Sequence, residues 1–423
     1  MRRALLALVM AMLFAVPSTA SARDLFESED GEFRLVLRSA LKGSWLLTFP
    51  QDDPLLDEET GGAGLFRLRF DLSARLSEYL SANVAYEHRA LASTGASGAA
   101  LLPPNVPAPF RLAPVEDFIV DDPAYRHLHE LDRAYVSLHL PFLELTAGRQ
   151  AIGLGRGVLF SAVDIFAPFS PTEVDREWRR GVDAIHAELR IPDVSQLSAD
   201  FIVAFGNVND GDLDSFAMLG RVRAVLGDID GSVMLGQRGD DTMVAGVLSA
   251  TVGDAEVHGE LAMFGTDGAG VDGGFFGTRG VVAKGLLGGS YQLDIHRGIR
   301  LVLEYHYSGF GVDNVGDDPS ILFDDAFQAR FARGDSQLLG RHALALVVSA
   351  ELVDEVSAAV SYLQSPVDGS GLVAPTVTWV ASDMFTLVVS GFLPWGGATE
   401  GGVPQSEYGS SPFTLFVQAR LYD

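Results

Sequence analysis

Segments of about ten residues that alternate apolar and polar side chains run the length of this chain, separated in turn by tight polar turns and long, often acidic, loops. Residues 64–77 show the pattern best. Phe66, Leu68, Phe70, Leu72, Ala74 and Leu76 fall on one face, and Arg67, Arg69, Asp71, Ser73 and Arg75 on the other. A period of two over that length is a half-buried strand. Eighteen such segments are expected: 32–47, 64–77, 81–91, 130–140, 142–151, 180–191, 197–207, 216–227, 229–238, 242–252, 255–265, 279–295, 299–309, 338–352, 355–365, 372–382, 384–393 and 412–422. Every second connection is tight, and most of the others (48–63, 92–129, 152–179, 266–278, 310–337, 394–411) are long. Few soluble folds keep that parity. A transmembrane antiparallel up-and-down β-barrel does, with short turns on one rim and long loops on the other. Strands in lipid must close on themselves because no water satisfies an open edge. Connections 208–215, 239–241 and 366–371 are short for outer loops and are the weak points of the count.

The N-terminal apolar run has a separate explanation. Arg2 and Arg3, then Ala4 to Val16, then Ala20-Ser21-Ala22 form the basic, apolar and cleavage regions of a secretory signal peptide. Residues 1–22 are thus expected to be the signal and 23–423 one barrel domain in a bacterial outer membrane. Past residue 16 no run approaches the ~20 apolar residues of a membrane helix. There is no cysteine, which excludes thiol catalysis and Cys-held zinc, iron–sulfur or haem. Net charge is −26, and removal of Arg2 and Arg3 leaves it near −28, which argues against nucleic acid as a partner.

The richest segment is 148–183. It runs Gly148-Arg149-Gln150, Gly153-Leu154-Gly155-Arg156-Gly157, Asp164-Ile165-Phe166-Ala167-Pro168-Phe169, then Glu173 to Asp183 with Arg176, Glu177, Arg179 and Arg180. It resembles the strand–loop–strand unit of outer-membrane barrels in the alginate-export and porin-like families. The match is partial, since Ala162-Val163 stand where that pattern often has proline. The resemblance implies that this third outer loop folds into the lumen. It also brings in a homotrimer, since porin-like barrels are often trimers.

A barrel of this size holds an aqueous channel unless something fills it, and charge at the narrowest point sets selectivity. The loop offers Arg156, Asp164, Glu173, Asp175, Arg176, Glu177, Arg179 and Arg180. The wall offers Arg67, Arg69, Arg75, Arg133, Arg221, Arg223, Arg300 and Arg341 at inward-phase positions. Loop carboxylates facing wall arginines are expected to make a transverse field. Aromatic candidates for interfacial girdles are Trp45, Phe49, Tyr79, Tyr86, Tyr291, Tyr305, Trp379, Phe385, Trp395 and Tyr422. Outer-loop acids (Asp52, Asp53, Asp57, Glu58, Glu59; Asp313, Asp317, Asp318, Asp324, Asp325) read as solvated surface, or as sites for divalent cations shared with lipopolysaccharide phosphates. The cluster Asn207, Asn209, Asp210, Asp212, Asp214 lacks calcium-loop register. The histidines show no spacing for a metal site, and no nucleophile elbow is present, so no cofactor and no enzyme chemistry are expected.

The expected function is a porin or channel for passive diffusion of small polar or anionic solutes. Three other readings stand beside it. One is an export conduit for an anionic polysaccharide, which needs a continuous arginine ladder. Another is a plugged surface-binding barrel, which needs 92–129 and 310–337 to fill the lumen. The last is the sheath of a porin–cytochrome electron conduit.

Overall fold

The structure is a computed structural model that describes residues 23–49, 61–94, 110–112, 116–122, 124–173, 175–191, 196–206, 216–267, 271–272, 280–317, 324–400 and 403–423. The proposed signal peptide and the acids at 52–59, 318 and 207–214 lie outside these residues.

The strands in chain order are β1 (Arg23–Glu27), β2 (Arg34–Phe49), β3 (Gly61–Arg75), β4 (Leu80–Thr94), β5 (Glu116–Asp122), β6 (Tyr125–His139) and β7 (Leu143–Gln150). Next come β8 (Val182–Arg190), β9 (Leu197–Phe205), β10 (Phe216–Leu226), β11 (Ile229–Arg238), β12 (Asp241–Val252), β13 (Ala255–Thr266) and β14 (Val271–Asp272). The last are β15 (Gly280–Leu293), β16 (Ile299–Ser308), β17 (His342–Val353), β18 (Val356–Gln364), β19 (Gly371–Ser382), β20 (Phe385–Trp395) and β21 (Phe413–Tyr422). Among the described residues one helix, α1 (Asp325–Arg333), precedes β17.

Leaving out the short β1, β5 and β14, 18 strands pair antiparallel in succession. The last returns to the first, from Ala40↔Tyr422 to Phe49↔Phe413, and the sheet is closed. All 18 were legible as alternation. The structure adds what lay inside expected loops: β5 within 92–129, pairing with the outer half of β6, and α1 within 310–337. It also adds β1 and β14, each pairing with one neighbour beside the barrel seam or rim.

The two faces are inverted relative to a soluble sandwich. Outward positions are apolar and bare: Leu287 is 68% exposed, Val233 62% and Leu261 56%. Inward positions hold the charges, with Lys42, Glu87 and Glu304 at 0%. An apolar outer band around a polar interior suits lipid outside and water within. Among the girdle candidates, Phe49, Tyr79, Tyr291, Tyr305, Trp379 and Trp395 are exposed. Tyr422 departs from that expectation. It has the phase of Gln418 and Arg420, and its hydroxyl donates inward to Glu177 at 2.7 Å.

Candidate lumen constriction

Residues 151–181 join β7 to β8, and their ends are fixed by the strands they leave. Arg149 forks Asp183 across the β7–β8 pair at 2.8 and 2.9 Å. Asp132 on β6 accepts the Gly181 N–H at 3.0 Å, while Arg133 bonds Asp132 and the Arg179 carbonyl.

From there the loop reaches the far wall. Glu260 of β13 accepts the backbone N–H groups of Arg156 (2.5 Å), Gly157 (2.9 Å) and Ala162 (2.7 Å), and the Ser161 hydroxyl (3.2 Å). Glu304 of β16 accepts those of Val158 (2.5 Å), Leu159 (2.9 Å) and Phe160 (3.3 Å), with His258 at 3.2 Å. An ionised carboxylate is acceptor-only, so each glutamate satisfies several loop donors at once. The glycine spacing follows from this contact. A Cβ on Gly155 would collide with Ser161 Oγ and Glu260, and one on Gly157 with the Phe160 carbonyl and Leu286. Only a bare backbone lies this close to the wall.

The return limb crosses to the seam of the barrel. Asp175 bonds Lys42 Nζ at 2.8 Å and Arg67 at 2.9 Å. Glu177 bonds Lys42 Nζ at 2.7 Å, besides the Tyr422 hydroxyl. Lys42 Nζ also sits 3.6 Å over the Trp178 ring, a cation–π contact. Within the loop, Arg179 pairs with Asp164 and the Ala167 carbonyl, and Arg176 donates to the carbonyls of Val158, Leu159 and Ser170. Arg156 pairs with Asp230 of β11.

Burial pushes the Asp164 and Glu173 carboxyls up. Asp175 is held down despite burial, because Arg67 and Lys42 outweigh it. Burial and the nearby Arg89 lower the Arg180 guanidinium.

Asp175 and Glu177 do face wall cations, but Asp164 is spent on Arg179 inside the loop. Most wall arginines are neutralised by wall carboxylates. Arg67 forks Glu87 (2.8 and 3.1 Å), Arg69 bonds Asp132 (2.6 Å), Arg221 bonds Asp200 (2.8 Å) and Arg223 forks Asp230. Arg341 is tied to Gly311 and Asp313 at the outer rim. Arg75 and Arg300, at the tight-turn ends of β3 and β16, are exposed. Sequence reasoning missed Lys42, Glu87, Arg89, Glu130, Glu260 and Glu304. Each stands at an inward phase, and that signal was available, but which of them meet the loop depends on its path.

A cavity of about 180 Å³ remains between the loop and the opposite wall. The loop side is Leu159, Pro171, Thr172, Glu173 and Arg176, and the wall side is β18 to β21. No metal-ligating cluster occurs among the described residues. His88, His127 and His129 do converge on the outward face of β4 and β6, with His88 Nδ1 3.2 Å from His127 Nε2 and Tyr86 bonding His129 at 2.7 Å.

No protein-family model matches the chain, and no curated protein does. Its fold is that of outer-membrane porin barrels. OccAB1 of Acinetobacter baumannii is 9% identical, with a TM-score of 0.56 over 96% of this chain and 99% of that one. OccD3 (OpdP) of Pseudomonas aeruginosa is 10% identical, with 0.52 over 97% of each. The Escherichia coli protein Wzi, described as a carbohydrate-binding β-barrel involved in group 1 capsule assembly, is 10% identical, with 0.52 over 91% of this chain and 84% of that one. The likeness is to porin folds, and an alginate-export family is not shown.

Proposed function

We propose that this chain, exported by residues 1–22, is an outer-membrane channel for passive diffusion of small polar solutes, narrowed by residues 151–181 folded across its lumen. The observation that carries this reading is the pair of anchors: Glu260 and Glu304 on one wall, Lys42 and Arg67 on the other. A loop fixed at both ends and at two distant walls is a fixed aperture, not a mobile surface segment. Its carboxylates and guanidiniums are largely paired, so aperture size and residual local charge do the sorting. Purified barrel in a planar bilayer should give discrete conductance steps. A barrel that conducts nothing and passes no solute would overturn the proposal.

A plugged, surface-binding barrel is the second reading. It is favoured by the contacts of the β16–β17 connection with the same loop: Gln337 bonds Ser161 and Phe169, and Asp335 bonds Arg238 of β11. The same bilayer measurement separates the two. The polysaccharide conduit is disfavoured because its arginine ladder would have to be unpaired.

A further inference from the structure

Strands β18, β19 and β20 (VSAAVSYLQ, GLVAPTVTWVAS and FTLVVSGFLPW) contain no charged residue. Strands β2 to β8 are the opposite. Their inner face buries Lys42, Arg67, Arg69, Arg89, Arg133 and Arg149, against Glu87, Glu130, Asp132 and Asp183. The lumen is therefore two-sided. The third loop returns along the charged side, where Asp175 and Trp178 close on Lys42. The cavity lies on the uncharged side, under Leu159 to Arg176.

We infer that solutes cross this barrel along the uncharged quadrant of β18 to β20, and that its preferred cargo is neutral, hydroxylated and of about monosaccharide size. This inference rests on the channel reading above. The quadrant offers hydroxyls at Ser361, Thr376 and Ser390 among the apolar Leu363, Val388 and Phe392. Thr376 and Ser390 hydroxyls are 2.8 Å apart and form a small ladder across β19 and β20. The Ser390 hydroxyl also donates to the Pro375 carbonyl at 3.1 Å, so this pair keeps acceptor lone pairs, and Ser361 both a donor and acceptors, for a sugar hydroxyl. An ion entering a narrow uncharged passage loses hydration without a counter-charge. The loop side of the cavity contributes Glu173 and Arg176, one of each sign, and Arg176 is already bonded to three carbonyls. The six wall cations named above are on the other side, buried and paired.

The test is solute flux into liposomes carrying the full mature barrel, with glucose and gluconate as probes of similar size and different charge. Glucose is expected to enter faster than gluconate by about fivefold or more, and Ala374→Trp, which projects an indole into the cavity, to lower glucose flux by about tenfold. Heat-modifiable gel mobility establishes that the variant barrel is assembled. If Ala374→Trp does not assemble, Ser361→Trp is read instead. Faster gluconate than glucose, or glucose flux unchanged in an assembled variant, overturns the lane while leaving the channel standing. Absence of flux for both probes in the unaltered protein overturns the channel, and the lane with it.

Discussion

Glu304→Ala is the sharpest probe of the loop. The substitution removes the acceptor of the Val158, Leu159 and Phe160 N–H groups and leaves the 18-strand ladder intact. Leaving a buried donor unsatisfied costs about 1–3 kcal/mol each. Three donors give an upper bound of about 9 kcal/mol, but a released loop rehydrates, so about 3–5 kcal/mol of local stability is the expected loss. At about 1.4 kcal/mol per factor of ten, the detached population rises by about two to three and a half orders of magnitude. Two assays read this. Hydrogen exchange at residues 158–160 should accelerate by that factor while exchange in β13 and β16 does not. Single-channel recordings should show larger, noisier conductance. Unchanged protection at 158–160 together with unchanged conductance would refute the claim that this glutamate holds the loop.

The other predictions follow from other contacts. Asp175→Ala leaves Lys42 buried with its remaining partner Glu177, and should loosen the return limb by about 3 kcal/mol, seen as faster exchange at 175–179. Glu407, in the β20–β21 connection, accepts the Leu339 and Gly340 N–H groups of the β16–β17 connection, and burial beside Asp368 raises its pKa to about 7. A carboxyl raised in the folded state binds protons that the unfolded state has released, so stability falls as pH rises from about 4.5 to 7. Docking of the two loops should therefore weaken over that window by protease nicking, and Glu407→Gln should flatten the dependence. Leu287→Arg puts a charge on the bare outer band and should cost about 2–4 kcal/mol in refolding into lipid vesicles, whereas the same change in detergent should cost less.

The barrel was legible because two independent periodicities agree. Alternation marks each strand, and the parity of connection lengths marks the two rims. Segments without alternation were not legible: β5 and α1 lay in stretches where only composition was available, β5 being held by the adjacent β6 and α1 by Arg330 and Arg333 on Asp241 of β12. Tyr422 misled because a terminal aromatic is compatible with either face, and the phase of Gln418 and Arg420 was the better guide. At the site, residue types were visible but pairings were not. Arg67 and Arg69 look like free wall cations until Glu87 on the neighbouring β4 and Asp132 on β6, one strand further, are brought beside them.

Glu260 and Glu304 grip the main chain of the loop, through N–H groups that every residue but proline provides. The grip is thus indifferent to the exposed side chain at Val158, whereas Phe160 is also held by its ring, which is buried and stacked 5.1 Å from His306. Substitutions at 158 can retune what passes without rebuilding the support. A library randomised at Val158 with proline omitted should therefore yield assembled barrels of differing selectivity.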